Sequence, residues 1–259
     1  MMRRRWCSYS HLLLLCVLGS LLALAQLQTS CRTRPVQSTV ASPPAAPATP
    51  TTALPTSVAS SPDKPPVESG KFRQPDLVEL IKFDSAVKLD IRYATTNNFV
   101  GRPLYTEARA FLQRPAAEAL RRAHQKVRQH GYGLLIFDGY RPWAITKLFW
   151  DATSGEQHNF VADPRKGSKH NRGCAVDLSL YDLKTGREVE MPGAYDEMTE
   201  RSYPIYKGGT AEQRRTRDLL RAAMESEGFT VNAYEWWHFD YKDWPQYPIL
   251  NLSFAELSK

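Results

Sequence analysis

The sequence predicts an α+β domain behind a long non-globular leader. Two long amphipathic helical patterns are separated by short apolar or alternating runs that do not repeat as regular strand–helix pairs. Ahead of residue 67 the composition collapses into Pro, Ala, Thr and Ser, which sets the domain boundary.

The chain begins with three arginines, Arg3 to Arg5, then an uncharged apolar run from Leu12 to Ala25. That is a basic region followed by a stretch too short to span a bilayer comfortably, with small residues at Ala23 and Ala25 suiting a signal-peptidase site. Residues 1–25 therefore read as a signal peptide and predict export to the periplasm. Cys31 is a candidate acyl anchor, in which case a lipoprotein signal runs to residue 30; simple cleavage after Ala25 competes with it. Residues 26–66 lack the apolar content to offset their chain entropy and predict a disordered, partly extended linker.

Residues 67–259 form one domain of ordinary size. Six of the chain's 34 Lys and Arg lie before Val67, leaving 28 against 26 acids. A domain so near neutrality gives no electrostatic footprint for nucleic acid. Cys174 is the domain's lone cysteine, so no internal disulfide supports the fold.

Within the domain, residues 77–101 alternate in short runs and read as strand, turn and strand. Residues 114–131 predict a helix, with Pro115 at its start, Gly131 closing it, and Ala116, Ala119, Leu120, Ala123 and Val127 on one face. "GLLIFDGYRPW" is a buried strand ending in a turn that displays Arg141, and residues 144–153 continue as a helix. Residues 175–180 alternate Val176, Leu178 and Leu180 with Asp177, and "YDLKTGREVEM" predicts a hairpin about Thr185-Gly186. Residues 210–228 predict a second long helix, capped by Thr210 and stopped by Gly228. "FTVNAYEWWHFDY" reads as an aromatic-rich strand.

Among five domain histidines, His124 and His130 lie on an Arg-rich helix and read as solvated, while His158 has no assignment. His170 and His238 differ, each having a carboxylate within a few residues in an otherwise apolar strand context. With Asp177 they make a candidate zinc site: three N/O ligands leave a position open for water, the arrangement of catalytic rather than structural zinc. Such a metal brings the pKa of water from 15.7 to about 7. Glu235, three residues before His238, is the candidate base. In a regular strand residues three apart face opposite ways, so convergence requires a kink or a strand that begins after Glu235. Arg141 reads either as a donor to a developing oxyanion or as a salt bridge capping its turn, with Asp138 as partner. Each motif alone is weak.

Together, and in this order, "DGYRP", "SKHNRGCAVDLSL" and "EWWHF" resemble the D-alanyl-D-alanine dipeptidases of the VanX type, in the zinc peptidase group that includes D,D-carboxypeptidases and the Hedgehog signalling domain. "DIRYATTNNFVG", "YDLKTG", "DEMTERSY" and "EQRRTRDLLRAAMESEGF" extend the resemblance over residues 80–241. It implies a central, mainly antiparallel sheet flanked by helices, with one Zn2+ held by His170, Asp177 and His238. It further implies Glu235 as catalytic base, Arg141 as transition-state stabiliser, and Ser168 and Asp196 in the substrate site. The implied reaction is hydrolysis of a small D,D-dipeptide to two D-alanines. Because the leader implies export, the expected role is peptidoglycan fragment turnover at the envelope. A D,D-carboxypeptidase trimming stem peptides, and a zinc-containing binding module without catalysis, stay open as alternatives.

Overall fold

The computed structural model describes residues 62–258. The signal peptide, Cys31 and the linker up to residue 61 lie outside the described residues. Eleven helices and strands follow: β1 (Leu77–Glu79), α1 (Leu80–Phe83), β2 (Lys88–Leu89), β3 (Phe111–Gln113), α2 (Arg114–Arg128), β4 (Tyr132–Asp138), α3 (Trp143–Ala152), β5 (Ala175–Asp182), α4 (Ala211–Glu225), β6 (Phe229–Val231) and β7 (His238–Tyr241). Short 3-10 turns punctuate the loops, among them His170–Arg172 and Glu200–Ser202.

The main sheet has the order β2-β4-β5-β7-β6 and is antiparallel except where β2 pairs parallel to β4. β1 and β3 form a separate antiparallel pair. The α+β expectation is met: α2 and α4 pack on one another, α2 against β4 and α4 against β6. Every residue of β5 except Asp182 is buried. Both faces of that central strand are therefore covered, so its alternation separates two interiors, one aliphatic and one polar.

The helix ends follow their local chemistry. Pro115 stands in the first turn of α2, where no amide partner is lost, and Gly131 takes φ +86° beyond the end. At α4, Thr210 accepts from Gln213 N while the Gln213 side chain accepts from Thr210 N, a complete capping box.

Three expectations change. The run from 77 continues from β1 directly into the single turn of α1, and the following strand shrinks to Lys88–Leu89. The aromatic run from Phe229 is not one strand but a hairpin, with Phe229 paired to Tyr241 and Val231 to Phe239. Asn232 reverses the chain, its side-chain oxygen accepting from Tyr234 N and its backbone N–H donating to His238 O. His124 is buried, with Nδ1 2.7 Å from Asp84 Oδ2, because its place on α2 falls on the apolar face beside Leu120 and Val127.

β1 is clamped by charge. Glu79 receives Arg109 in a bidentate pair, both contacts 2.8 Å, and Lys82 Nζ at 2.8 Å. Hydrogen bonding to Arg109 outweighs burial and, with Lys82, lowers the Glu79 pKa to about 2. The resulting stabilisation is full above the unfolded carboxyl's ordinary range and is lost as pH falls through about 2. Glu79→Gln is expected to cost about 1–2 kcal/mol at neutral pH, reduced by residual solvent access. The difference between the two proteins' unfolding free energies, followed by denaturant titration, should shrink steadily below about pH 4.

Candidate active site

Three neighbouring strands set the site. The register pairs Asp138 of β4 with Asp177 of β5, and Asp177 with His238 of β7, so three ionisable side chains lie in a row across the sheet. A bulge between Ile136 and Asp138 shifts the β4 pairing at this point. His170 arrives from a 3-10 turn ahead of β5, closed by Gly173 in the left-handed region at φ +66°.

His170 Nε2, His238 Nδ1 and Asp177 Oδ1 converge: the nitrogens are 3.1 Å apart, and the oxygen is 3.3 and 3.1 Å from them. The outer nitrogens fix the tautomers. His170 Nδ1 donates to Gly139 O at 2.7 Å, and His238 Nε2 donates to Asp240 Oδ1 at 2.9 Å. In the neutral rings both inward nitrogens are therefore bare lone pairs, aimed at a carboxylate oxygen that itself has no hydrogen-bond partner. Three acceptors this close and this buried require a positive charge among them.

A proton on His238 is one source of that charge. Burial opposes its protonation, but Asp240 and Asp177 outweigh burial and hold its pKa well above the ordinary value. A metal ion is the other source. Ligand atoms about 2.0–2.1 Å from a tetrahedral ion lie roughly 3.3 Å from each other, close to the separations seen. Two imidazoles and a carboxylate are also a donor set that suits zinc and leaves a position open.

Asp177 is prepared for this role from behind. Its Oδ2 accepts from Tyr195 Oη at 3.1 Å and lies 3.5 Å from Arg141 Nη2. Burial would raise its pKa, yet the two imidazoles hold it well below the usual carboxylate range.

Arg141 makes the salt bridge to Asp138 that its turn suggested, and it also reaches the cavity. Its Nε and Nη2 each lie 2.9 Å from Asp138 Oδ2, and it also lines the cavity with its guanidinium 4.4 Å from the Phe149 ring centre. Asp138 Oδ1 meanwhile accepts from Tyr105 Oη and Gly139 N, both at 2.9 Å, so the salt bridge aims the arginine rather than competing with the site.

Glu235 lies in the turn before β7, not in the strand, which answers the geometric question raised by its spacing from His238. Its Oε2 is 3.6 Å from His238 Nδ1 and accepts from Asn232 Nδ2 at 3.3 Å. Burial, partly offset by His238, raises its pKa to about 8. Ser168 Oγ accepts from His170 N at 3.2 Å at the cavity wall. Asp196 adopts φ +58°, rare for a residue other than glycine, and its two carboxylate oxygens share the single Tyr93 hydroxyl donor, at 3.0 and 2.9 Å from Oη. Burial, with the charge of Asp177, raises its pKa to about 7. All seven sequence-predicted residues line one cavity of about 760 Å3.

The supporting residues were less visible. Asp240 has a usable signal, because residues two apart on a strand share a face. Lys169 Nζ, 3.0 Å from Asp240 Oδ2, extends that support. Tyr195, Tyr93 and the Gly139 carbonyl have no local signature tying them to the site.

Gly139 has no room for a side chain: a Cβ there would meet the backbone oxygen of Phe111 at 2.7 Å. Gly139→Ala is expected to displace the carbonyl that orients His170 and to weaken divalent-metal affinity about 10–100-fold. Competition with a chromophoric chelator measures it, with circular dichroism to confirm folding.

The chain is similar in sequence to known proteins. A family model for the D-Ala-D-Ala dipeptidases, peptidase M15, matches residues 73–257. The D-alanyl-D-alanine dipeptidase of Escherichia coli (strain K12) is 34% identical over 180 residues, covering 70% of this chain and 92% of that protein. Its counterpart in Enterococcus faecium is 36% identical over 180 residues, 62% of this chain and 89% of that one. In Enterococcus faecalis (strain ATCC 700802 / V583) the identity is 36% over 187 residues, with 65% and 92% covered. A solved LD-carboxypeptidase, LdcB, is 23% identical with a TM-score of 0.34, over 51% of this chain and 59% of that chain.

Proposed function

The chain belongs to the D-Ala-D-Ala dipeptidase family of M15 peptidases, and on that premise we propose that it hydrolyses the free dipeptide D-Ala-D-Ala with zinc held by His170, Asp177 and His238. The observation that carries this reading is the convergence of three lone-pair donors beside the half-buried Glu235 carboxylate and the buried Arg141 in one cavity. A zinc ion there supplies the charge that makes water acidic enough to act as a nucleophile near neutral pH.

The protein's own groups divide the remaining work. Glu235, held by Asn232, receives the proton from water and passes it to the departing amine, a role worth about 10²–10⁴-fold. Arg141, braced by Asp138, faces the oxygen on which negative charge develops, a contribution of about 10²–10³-fold. Asp196 is a carboxylate at the cavity wall whose hydrogen-bond partner is the neutral Tyr93 hydroxyl, which fits the substrate's ammonium group. Ser168 accepts from a backbone N–H and keeps its own hydroxyl hydrogen for the substrate.

This arrangement weighs against the carboxypeptidase alternative, in which a neutral amide would face Asp196. A binding module without catalysis has no use for Glu235 or for Arg141 aimed into the cavity. The leader supports a place at the cell envelope, in turnover of peptidoglycan fragments, with Cys31 as an optional lipid anchor.

D-alanine release from D-Ala-D-Ala by the zinc-loaded protein is the direct test, with N-acetyl-D-Ala-D-Ala and a stem pentapeptide in parallel. The free dipeptide should be turned over and the acetylated one should not. Glu235→Gln should keep bound zinc at wild-type stoichiometry while kcat falls at least about 100-fold. Turnover at the native rate by that variant would remove Glu235 from the mechanism.

A further inference from the structure

The cavity is larger than its proposed substrate needs. At about 760 Å3 it lies in the upper part of the range, roughly 300–1,000 Å3, that accommodates drug-sized ligands. The groups assigned to the dipeptide occupy only part of the wall. Much of the remaining wall comes from residues 158–163, 166 and 167 after α3 and from the turn 232–234 before Glu235.

This outer part is built from rings and a lysine. Phe160 of the first segment meets Tyr234 of the second, ring centres 6.3 Å apart and nearly perpendicular, and both contact Tyr203. Tyr234 is 45% exposed, although its backbone is pinned through Asn232 and the next residue is pinned through the Asn232–Glu235 bond. His158 stacks on Trp150 at 3.6 Å, forming a further flat wall. Lys166 lines the same cavity and has no ion-pair partner among the described residues. Asp163, close enough to feel its charge, is already held by Arg165 at 2.8 Å.

We propose that this outer chamber is a subsite for substrate residues beyond the dipeptide on the carboxyl side, so that the enzyme also removes D-alanine from the amino terminus of short D-peptides. The inference rests on the dipeptidase reading, and the direction follows from it. Asp196 retains a free ammonium only if the chain begins there, so any extension must leave past the scissile bond. Phe160 and Tyr234 flank the added residue, and Lys166 receives its terminal carboxylate. The reaction is the same hydrolysis: water's oxygen joins the carbonyl carbon, the C–N bond breaks, and the departing amine of the shortened peptide takes the proton carried by Glu235.

The test compares D-Ala-D-Ala with D-Ala-D-Ala-D-Ala, its carboxyl-terminal amide and its N-acetyl form, using the zinc-loaded full-length protein. Wild type should release amino-terminal D-alanine from the tripeptide, with kcat/KM within about tenfold of the dipeptide. Phe160→Ala should lower the tripeptide value about tenfold or more and change the dipeptide value less than about twofold. Lys166→Ala should raise KM for the tripeptide but not for its amide, and Lys166→Arg should restore it. Cleavage of the dipeptide but not the tripeptide overturns the subsite and leaves the dipeptidase reading intact; cleavage of neither overturns that reading itself. Equal losses on both substrates in Phe160→Ala reduce Phe160 to a structural role and overturn the subsite, and cleavage of the N-acetyl tripeptide overturns its direction.

Discussion

Two imidazoles and a carboxylate cannot point their lone pairs at one buried spot unless a positive charge lies among them. Much of the domain is arranged to enforce that confrontation. β5 supplies Asp177, β7 supplies His238, and the turn before β5 supplies His170. Each has its outer polar atom engaged, by Tyr195 and Arg141, by Asp240, and by the Gly139 carbonyl respectively. With those atoms occupied, the inner ones have nowhere else to turn. A site preorganised in this way spends little reorganisation energy on capturing an ion.

The same logic extends to the second layer of charge. Asp138 is buried between Arg141, Tyr105 and the Gly139 amide, and burial raises its pKa while Arg141 opposes the shift. Breaking a buried pair of this kind is costly because it strands the partner's charge, so the pair is held in one geometry. Arg141 thereby becomes a fixed positive group beside the convergent site rather than a mobile surface side chain. Glu235 and Asp196 are held differently. Each is a half-buried carboxylate with neutral hydrogen-bond donors, and loss of solvent around it raises both pKa values. One fold thus keeps Asp177 charged while making two nearby carboxyls easier to protonate, the kind of separation that acid–base chemistry needs.

The long helices were legible because their apolar period, Pro115, the Thr210 cap and the closing glycines all point the same way. The metal-type residues were legible as chemistry, since a histidine and an aspartate are out of place in an aliphatic strand. The hairpin of β6 and β7 was less so: aromatic residues fill both strands and the turn, and only the Asn232 side chain marks the reversal. His124 was misread because a polar helix sequence conceals which turn a partner such as Asp84 will cover.

The sequence by itself determined the class of fold, the identity of the residues with metal-binding and acid–base capacity, and, through its motifs, the family they resemble. Those properties are local or additive along the chain: periodicity, capping chemistry, donor type. Only the tertiary structure decided that Asp138, Asp177 and His238 stand abreast, that Glu235 leaves the strand in a turn, and that Tyr195 and a glycine carbonyl complete the support. Such facts depend on strand register and on contacts between distant segments. A shift of one residue in either pairing would send these side chains to the opposite face of the sheet.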